Sequence, residues 1–114
     1  MNWIELADLK QLDDVVAESR KQPVIIYKHS TRCNISRTAL DRLDRNWDVT
    51  IAGDTRRYFL DLIAHRHISN EIAERFGVEH ESPQVLVISD GKSVADMSHF
   101  AIEFEALKKH LKSS

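Results

Sequence analysis

The feature that most constrains the fold is a change of hydrophobic pattern around residues 24–36. Residues 24–27 (VIIY) form a continuous β-branched and aromatic run, which is too short for a helix and typical of a strand buried on both faces. The polar residues 30–33 (STRC) interrupt this run, and from Ile35 onward apolar residues recur at helical spacing. The pattern predicts a strand leading into a helix, with Cys33 at the junction.

The rest of the chain continues this alternation. Helices are predicted to begin near Asp8, Ile35, Ser69 and Phe104, and strands to cover residues 24–27, 58–63, 85–88 and 93–97. The carboxylate of Asp8 can cap the first helix while the side chain of Gln11 reaches back toward that cap. Gly77 can end the third helix in a left-handed conformation. Residues 48–55 are predicted to be a loop, and residues 90–92 (DGK) a tight turn that pairs the last two strands. This order favours parallel pairing followed by an antiparallel hairpin.

Composition places the chain among ordinary globular proteins. Its 114 residues are 42% apolar and 30% charged, and we expect a single domain over residues 1–114. A net charge of −2 with interspersed signs argues against a nucleic-acid or membrane partner. The first residues include an early acidic side chain and show no basic segment followed by a long apolar one, so we expect a cytoplasmic protein. We also expect it to act as a monomer.

The cysteine count restricts the chemistry. Cys33 is the only cysteine, so any disulfide must be intermolecular. A cysteine at a helix start faces unpaired backbone N–H groups and the positive end of the helix dipole, which favour the thiolate. Arg32 adds positive charge, and Lys28 and His29 are expected to contribute. The alternative is a buried structural cysteine, although the polar neighbours of Cys33 favour a reactive one.

Three blocks of sequence carry a resemblance to a known family. Residues 28–36 (KHSTRCNIS), 68–73 (ISNEIA) and 80–84 (HESPQ) resemble the monothiol bacilliredoxins of the bacillithiol system. The resemblance implies an α/β, thioredoxin-like fold with a central four-stranded mixed sheet flanked by helices. It also implies removal of bacillithiol from protein mixed disulfides, with Cys33 as the nucleophile. Asn34 departs from the family, which usually has proline directly after the cysteine.

The resemblance also implies a set of substrate-binding residues around Cys33. Ser36 occupies the place of the resolving cysteine of dithiol thioredoxins. A mixed disulfide formed at Cys33 must therefore be resolved by an external thiol. Ser36 is either an exposed first-turn residue or a hydrogen-bonding partner near the sulfur. Pro83 is expected to follow a cis bond that presents the Ser82 backbone to substrate, the alternative being a trans proline that opens a strand. His99 either contacts the bound thiol or caps the last helix, and Arg32 completes the set.

The implied co-substrate is bacillithiol, which joins cysteine to an amino sugar bearing malate, and the implied partners are bacillithiolated client proteins. No bound cofactor is expected, and a metal site at His65 and His67 is disfavoured because no third ligand follows at a suitable spacing. Two other functions stay open on the sequence. The chain could carry an iron–sulfur cluster with external thiols, as monothiol glutaredoxin-like proteins do, or it could be a non-catalytic interaction module.

Overall fold

The computed structural model describes residues 3–111, so both ends of the predicted domain, residues 1–2 and 112–114, lie outside the described residues. The strands are β1 (Ile4–Glu5), β2 (Val24–His29), β3 (Arg57–Asp61), β4 (Gln84–Ser89) and β5 (Lys92–Ser98). The helices are α1 (Lys10–Ser19), α2 (Asn34–Asn46), α3 (Val49–Ala52), α4 (Arg66–Phe76) and α5 (Phe104–Leu111), with a short 3₁₀ helix at His99–Ala101.

The strands form one mixed sheet in the order β1-β3-β2-β4-β5. β3 lies parallel to both β1 and β2, whereas β4 is antiparallel to β2 and to β5. The predicted parallel-then-antiparallel arrangement is therefore confirmed, but the predicted count of four strands is wrong. β1 is only two residues long, and so short a segment shows no alternation from which a strand could be recognised.

Residues 24–27 of β2 are buried, as their apolar run predicts, because helices cover both faces of the sheet, and the burial extends to the last two residues of the strand. Ile26 belongs to the apolar cluster that α1 and α4 complete. Ile25 and Tyr27 point the other way, into the cluster completed by α2 and α5. Side chains alternate across a strand, so the two residues that follow, Lys28 and His29, also lie on opposite faces.

Most of the predicted helix and turn signals are observed. Gln11 accepts hydrogen bonds from the backbone N–H groups of Ala7 and Asp8, at 2.7 and 3.0 Å, in front of α1. Gly77 ends α4 in the left-handed region. Asp90 and Gly91 both have positive φ, at 54° and 77°, as a two-residue hairpin turn between β4 and β5 requires.

Two local predictions are wrong. Residues 48–55 are not wholly loop, because Asp48 caps the one-turn helix α3 by accepting the N–H of Thr50 at 2.9 Å. Helix α4 begins at Arg66 and not after a cap at Ser69. Ser69 is instead buried inside the helix, where its hydroxyl lies 3.2 Å from Nδ1 of His80.

Candidate functional site: a cysteine at a helix start beside a cis-proline

Cys33 lies at the junction that the sequence predicts, between β2 and α2. It is the N-cap residue of α2, with an extended backbone at φ −115° and ψ 116°. A turn sets its position, since its N–H donates to the carbonyl of Ser30 at 3.1 Å. The residue is half-buried and its thiol is free. The sulfur is therefore accessible beside the first-turn amides of the 13-residue helix α2. This arrangement favours the thiolate.

Ser36 is fully buried in the first turn of α2, which rules out the alternative of an exposed first-turn residue. Its hydroxyl oxygen accepts the backbone N–H of Ser30 at 3.2 Å and lies 2.7 Å from Nδ1 of His29. Within residues 3–111, these contacts occupy the hydroxyl, and no hydrogen bond joins it to the Cys33 sulfur. Ser36 therefore supports the turn that carries Cys33 and does not contact the reacting atom.

His29 is the buried partner of that serine at the end of β2. Burial lowers its pKa, which keeps the imidazole neutral at neutral pH, and the neighbouring Asp61 carboxylate only partly opposes this. The ring packs against Phe59, with centroids 5.2 Å apart. A neutral imidazole carries no charge in either tautomer, so His29 does not supply the positive charge near Cys33 that the sequence led us to expect.

Lys28 cannot supply that charge either, because it is fully buried on the opposite face of the sheet. Its ammonium lies 3.4 Å from both the carbonyl of Ser69 and Nδ1 of His80. Burial lowers the pKa of Lys28 to about 8. The pKa of His80 is also lowered, first by partial burial of the ring and then by the nearby charge of Lys28. Arg32, which is exposed in the loop before Cys33, remains the cation adjacent in sequence to the sulfur.

The Ser82–Pro83 peptide bond is cis, as the resemblance implies. Gln84, the next residue, pairs with Lys28 across β4 and β2, so the register places this bond alongside the end of β2 that leads to Cys33. Pro83 is buried, and the hydroxyl of Ser82 is a buried group with no hydrogen-bond partner among the described residues. The site thus contains a cysteine and a cis-proline at the same end of the sheet.

His99 joins the same end of the sheet through its backbone. Its N–H donates to the carbonyl of Pro83 at 3.1 Å, immediately after β5. Its φ of 56° lies in the left-handed region, which a residue with a side chain adopts only at a local energetic cost. Its ring is about half exposed, with Nε2 3.9 Å from a carboxylate oxygen of Glu81. His99 begins the 3₁₀ helix and lies five residues before α5, so it does not cap the last helix.

No group of three or more potential metal-ligating side chains occurs in residues 3–111, and His65 and His67 approach only each other, with ring centroids 6.3 Å apart. No helix in the described part of the chain is long and apolar enough to cross a membrane.

Comparison with solved structures defines the class of protein first. The fold resembles thioredoxin O2 from Arabidopsis thaliana, with a TM-score of 0.74 at 15% identity over 96% of this chain and 95% of that one. It also resembles a Malassezia sympodialis thioredoxin, with a TM-score of 0.76 at 14% identity, covering 96% of this chain and 90% of that one. These likenesses identify a thioredoxin fold.

Two further matches identify the family. A structure described as "A putative oxidoreductase with a thioredoxin fold" is 30% identical, with a TM-score of 0.79 over 94% of this chain and 91% of that one. Residues 4–107 match the family Monothiol bacilliredoxin BrxC. The chain belongs to the monothiol bacilliredoxin family, and its fold and family support a thiol oxidoreductase role.

Proposed function

We propose that this protein removes bacillithiol, or a similar low-molecular-weight thiol, from protein mixed disulfides by exchange at Cys33. The observation that carries the proposal is the position of Cys33. It is half-exposed at the N-terminus of α2, at the end of the sheet where the cis Ser82–Pro83 bond lies. Membership in the monothiol bacilliredoxin family supports the choice of thiol.

The first step is attack by the Cys33 thiolate on the small-thiol sulfur of the mixed disulfide. A new disulfide forms between Cys33 and the small thiol while the original disulfide bond breaks. The client cysteine leaves as a thiolate and takes a proton from solvent. The client is thereby reduced, and Cys33 becomes the oxidised partner.

The second step needs an external thiol, because Ser36 stands where a resolving cysteine would be needed and cannot itself form a disulfide. A second small-thiol molecule, as its thiolate, attacks the small-thiol sulfur of the disulfide formed with Cys33. Cys33 leaves as a thiolate, and the product is the disulfide of two small thiols. The cycle needs no bound cofactor, and bacillithiol acts as co-substrate.

The residues around the sulfur suggest how the two halves of the substrate are bound. The backbone of Ser82 can pair with an extended client segment as an added strand. Arg32 and His99 offer cationic and hydrogen-bonding groups for the acidic malate end of bacillithiol. We propose a cytoplasmic setting and bacillithiolated proteins as the partners, with a monomer as the working unit.

The test is turnover of one model protein that carries bacillithiol on a single cysteine, with excess bacillithiol as reductant. We expect wild type to release the client thiol over many turnovers and Cys33→Ser to add nothing to the slow direct exchange with free bacillithiol. Release by Cys33→Ser at the wild-type rate would overturn the proposal.

A further inference from the structure

We propose that Lys28 and His80 form a positioning pair that holds residues 79–82, the segment leading into β4, in the conformation that binds the client chain. This inference rests on the proposed function and deepens it, because the backbone of Ser82 in this segment is the proposed pairing surface for the client. Lys28 lies in β2 on the side of the sheet covered by α4, and His80 lies between α4 and β4. Neither residue takes part in the exchange steps at Cys33.

Lys28 is a buried cation without a counter-ion among the described residues. Its side chain is fully buried, and no carboxylate in residues 3–111 lies within ion-pair distance of its ammonium. Its polar neighbours are the carbonyl of Ser69 in α4 and Nδ1 of His80, both at 3.4 Å. Burying a charge without a counter-ion costs free energy, and a sequence keeps such a group where it serves a function. The contact with His80 indicates what that function is.

The contact ties the segment to the core strand β2. Lys28 pairs with Gln84 across β2 and β4, and the side-chain amide of Gln84 donates to the carbonyl of Glu79 at 3.0 Å. Gln84 therefore holds the first residue of the segment, and Lys28 holds the second, His80. Ser82 follows two residues later. The bond between Lys28 and His80 therefore sets the position of Ser82.

His80 makes this bond sensitive to pH. An ammonium can only donate, so Nδ1 of His80 accepts from Lys28 and the ring is neutral while the bond lasts. His80 is exposed, so protons reach it from solvent. Partial burial of the ring and the charges of Lys28 and of Arg66, on α4, lower the pKa of His80, while Glu81 on the segment itself opposes them. Below that pKa, two cations face each other 3.4 Å apart and the contact is lost.

Loss of the contact should weaken client binding and leave the chemistry at the sulfur unchanged. The kinetic test uses one model protein that carries bacillithiol on a single cysteine, with saturating bacillithiol as reductant, at about pH 7.5, where His80 is neutral. Lys28→Met should raise KM for the client about tenfold, the loss expected for one charge-assisted hydrogen bond. The value of kcat should stay within about twofold, because Lys28 acts on binding and not on the reacting atoms. A packing role alone predicts no rise in KM, because an apolar side chain of similar size replaces a buried charge without loss.

His80 provides a second test that leaves the buried core unaltered. His80→Ala removes the acceptor and should raise KM as much as Lys28→Met does. His80→Asn keeps an acceptor near the position of Nδ1 but does not titrate, so it should keep KM within about threefold of the wild-type value. His67→Ala, at an exposed histidine of α4, is the matched control and should keep the wild-type KM.

The pH dependence of binding separates this positioning role from the titration of Cys33. A short fluorescent peptide that carries bacillithiol on its one cysteine is titrated into Cys33→Ser, which binds the peptide without exchange. The Kd should rise severalfold between about pH 7.5 and 5.5, as His80 takes up a proton. The double variant that combines Cys33→Ser with His80→Asn should show no such rise.

The outcomes distinguish the positioning pair from the proposed function. Peptide binding that depends on His80 in this way, without turnover of any bacillithiolated substrate by wild type, would refute the exchange activity and support the pair. An unchanged KM in both Lys28→Met and His80→Ala would overturn the inference and leave the exchange activity intact. A fall in kcat at unchanged KM, or the same acid-induced rise in Kd after His80→Asn, would overturn it too.

Discussion

The hydroxyl of Ser36 and Nδ1 of His29 lie 2.7 Å apart, both buried, directly beneath the turn that carries Cys33. The same hydroxyl accepts the N–H of Ser30, at the start of that turn. These two groups engage the hydroxyl, and no hydrogen bond joins it to the Cys33 sulfur within residues 3–111. The residue in the resolving-cysteine position therefore supports the active-site turn from below.

Ser36→Ala tests this supporting role. The substitution leaves Nδ1 of His29 and the N–H of Ser30 without their partner, so we expect the free energy of unfolding to fall by about 1–3 kcal/mol. Exchange at Cys33 should persist, because the attacking sulfur is unchanged. Denaturant unfolding and turnover of a thiolated protein are the measurements. Ser89→Ala, at the partly buried end of β4, is the control and should change stability much less. Complete loss of exchange in a folded Ser36→Ala protein would contradict this account.

Acid should destabilise the protein through the buried His29 and, in part, through His80. Burial holds the pKa of His29 in the folded protein below the value of about 6.5 expected when the chain unfolds. Below that pH the unfolded chain takes up the proton first, so stability present at pH 7 is lost as the pH falls. His29→Asn should show a shallower loss between about pH 6.5 and 5, with His80 responsible for part of the remainder. His67→Asn, at an exposed histidine, is the control variant.

Lys28 should make stability rise with pH in the alkaline range as well. Its pKa is about 8 in the folded protein, against about 10.5 for a free lysine. Between these values the unfolded chain binds a proton that the folded protein has released, so unfolding becomes less favourable as the pH rises. Relative to Lys28→Met, wild type should gain at most about 3 kcal/mol between pH 8 and 10.5. Urea unfolding of both proteins across this range measures the difference, and a constant difference would contradict the burial of a titrating lysine.

Arg32 should affect which small thiol is removed. A guanidinium next to Cys33 can form a charge-assisted hydrogen bond with the malate of bacillithiol, whereas the solvent exposure of Arg32 weakens that bond. We expect wild type to release bacillithiol severalfold faster than glutathione from the same protein. Arg32→Ala should lower this ratio, and Arg45→Ala, at the other end of α2, should not. The ratio is the informative quantity, because Arg32 also favours the thiolate in both reactions. Equal rates for the two thiols in wild type would end the specificity claim.

The sequence predicts the fold of this protein better than its site. The strand at residues 24–27, the hairpin at Asp90–Gly91 and the end of α4 at Gly77 have local signals, because each depends on a short apolar run or on a positive φ. β1 was missed because two residues carry no period and form a strand only by pairing with β3. Cys33 was placed correctly because a strand-to-helix junction is visible in the pattern.

The environment of Cys33 could not be predicted in the same way. Lys28 and His29 are adjacent to the active-site loop in sequence, but the alternation of β2 sends one to each face, and both become buried. The length of the strand could have indicated this, because a buried strand of six residues, which β2 is, includes both of them. The contact between Lys28 and His80 joins residues 52 positions apart, and only the tertiary fold brings them together.

The most direct test of the central claim is the fate of the small thiol in a single turnover. A client protein carrying bacillithiol on one cysteine is mixed with an excess of this protein in its reduced form, without free thiol. The reaction is quenched with acid, and the masses of both chains are measured by mass spectrometry. The account predicts that the client loses one bacillithiol and that this protein gains one, mapped by peptide digestion to Cys33. Ser36→Ala should show the same transfer and Cys33→Ser none. Two results would contradict the account: a client that keeps its bacillithiol while Cys33 stays unmodified, or a client that loses its bacillithiol without any adduct forming on this protein.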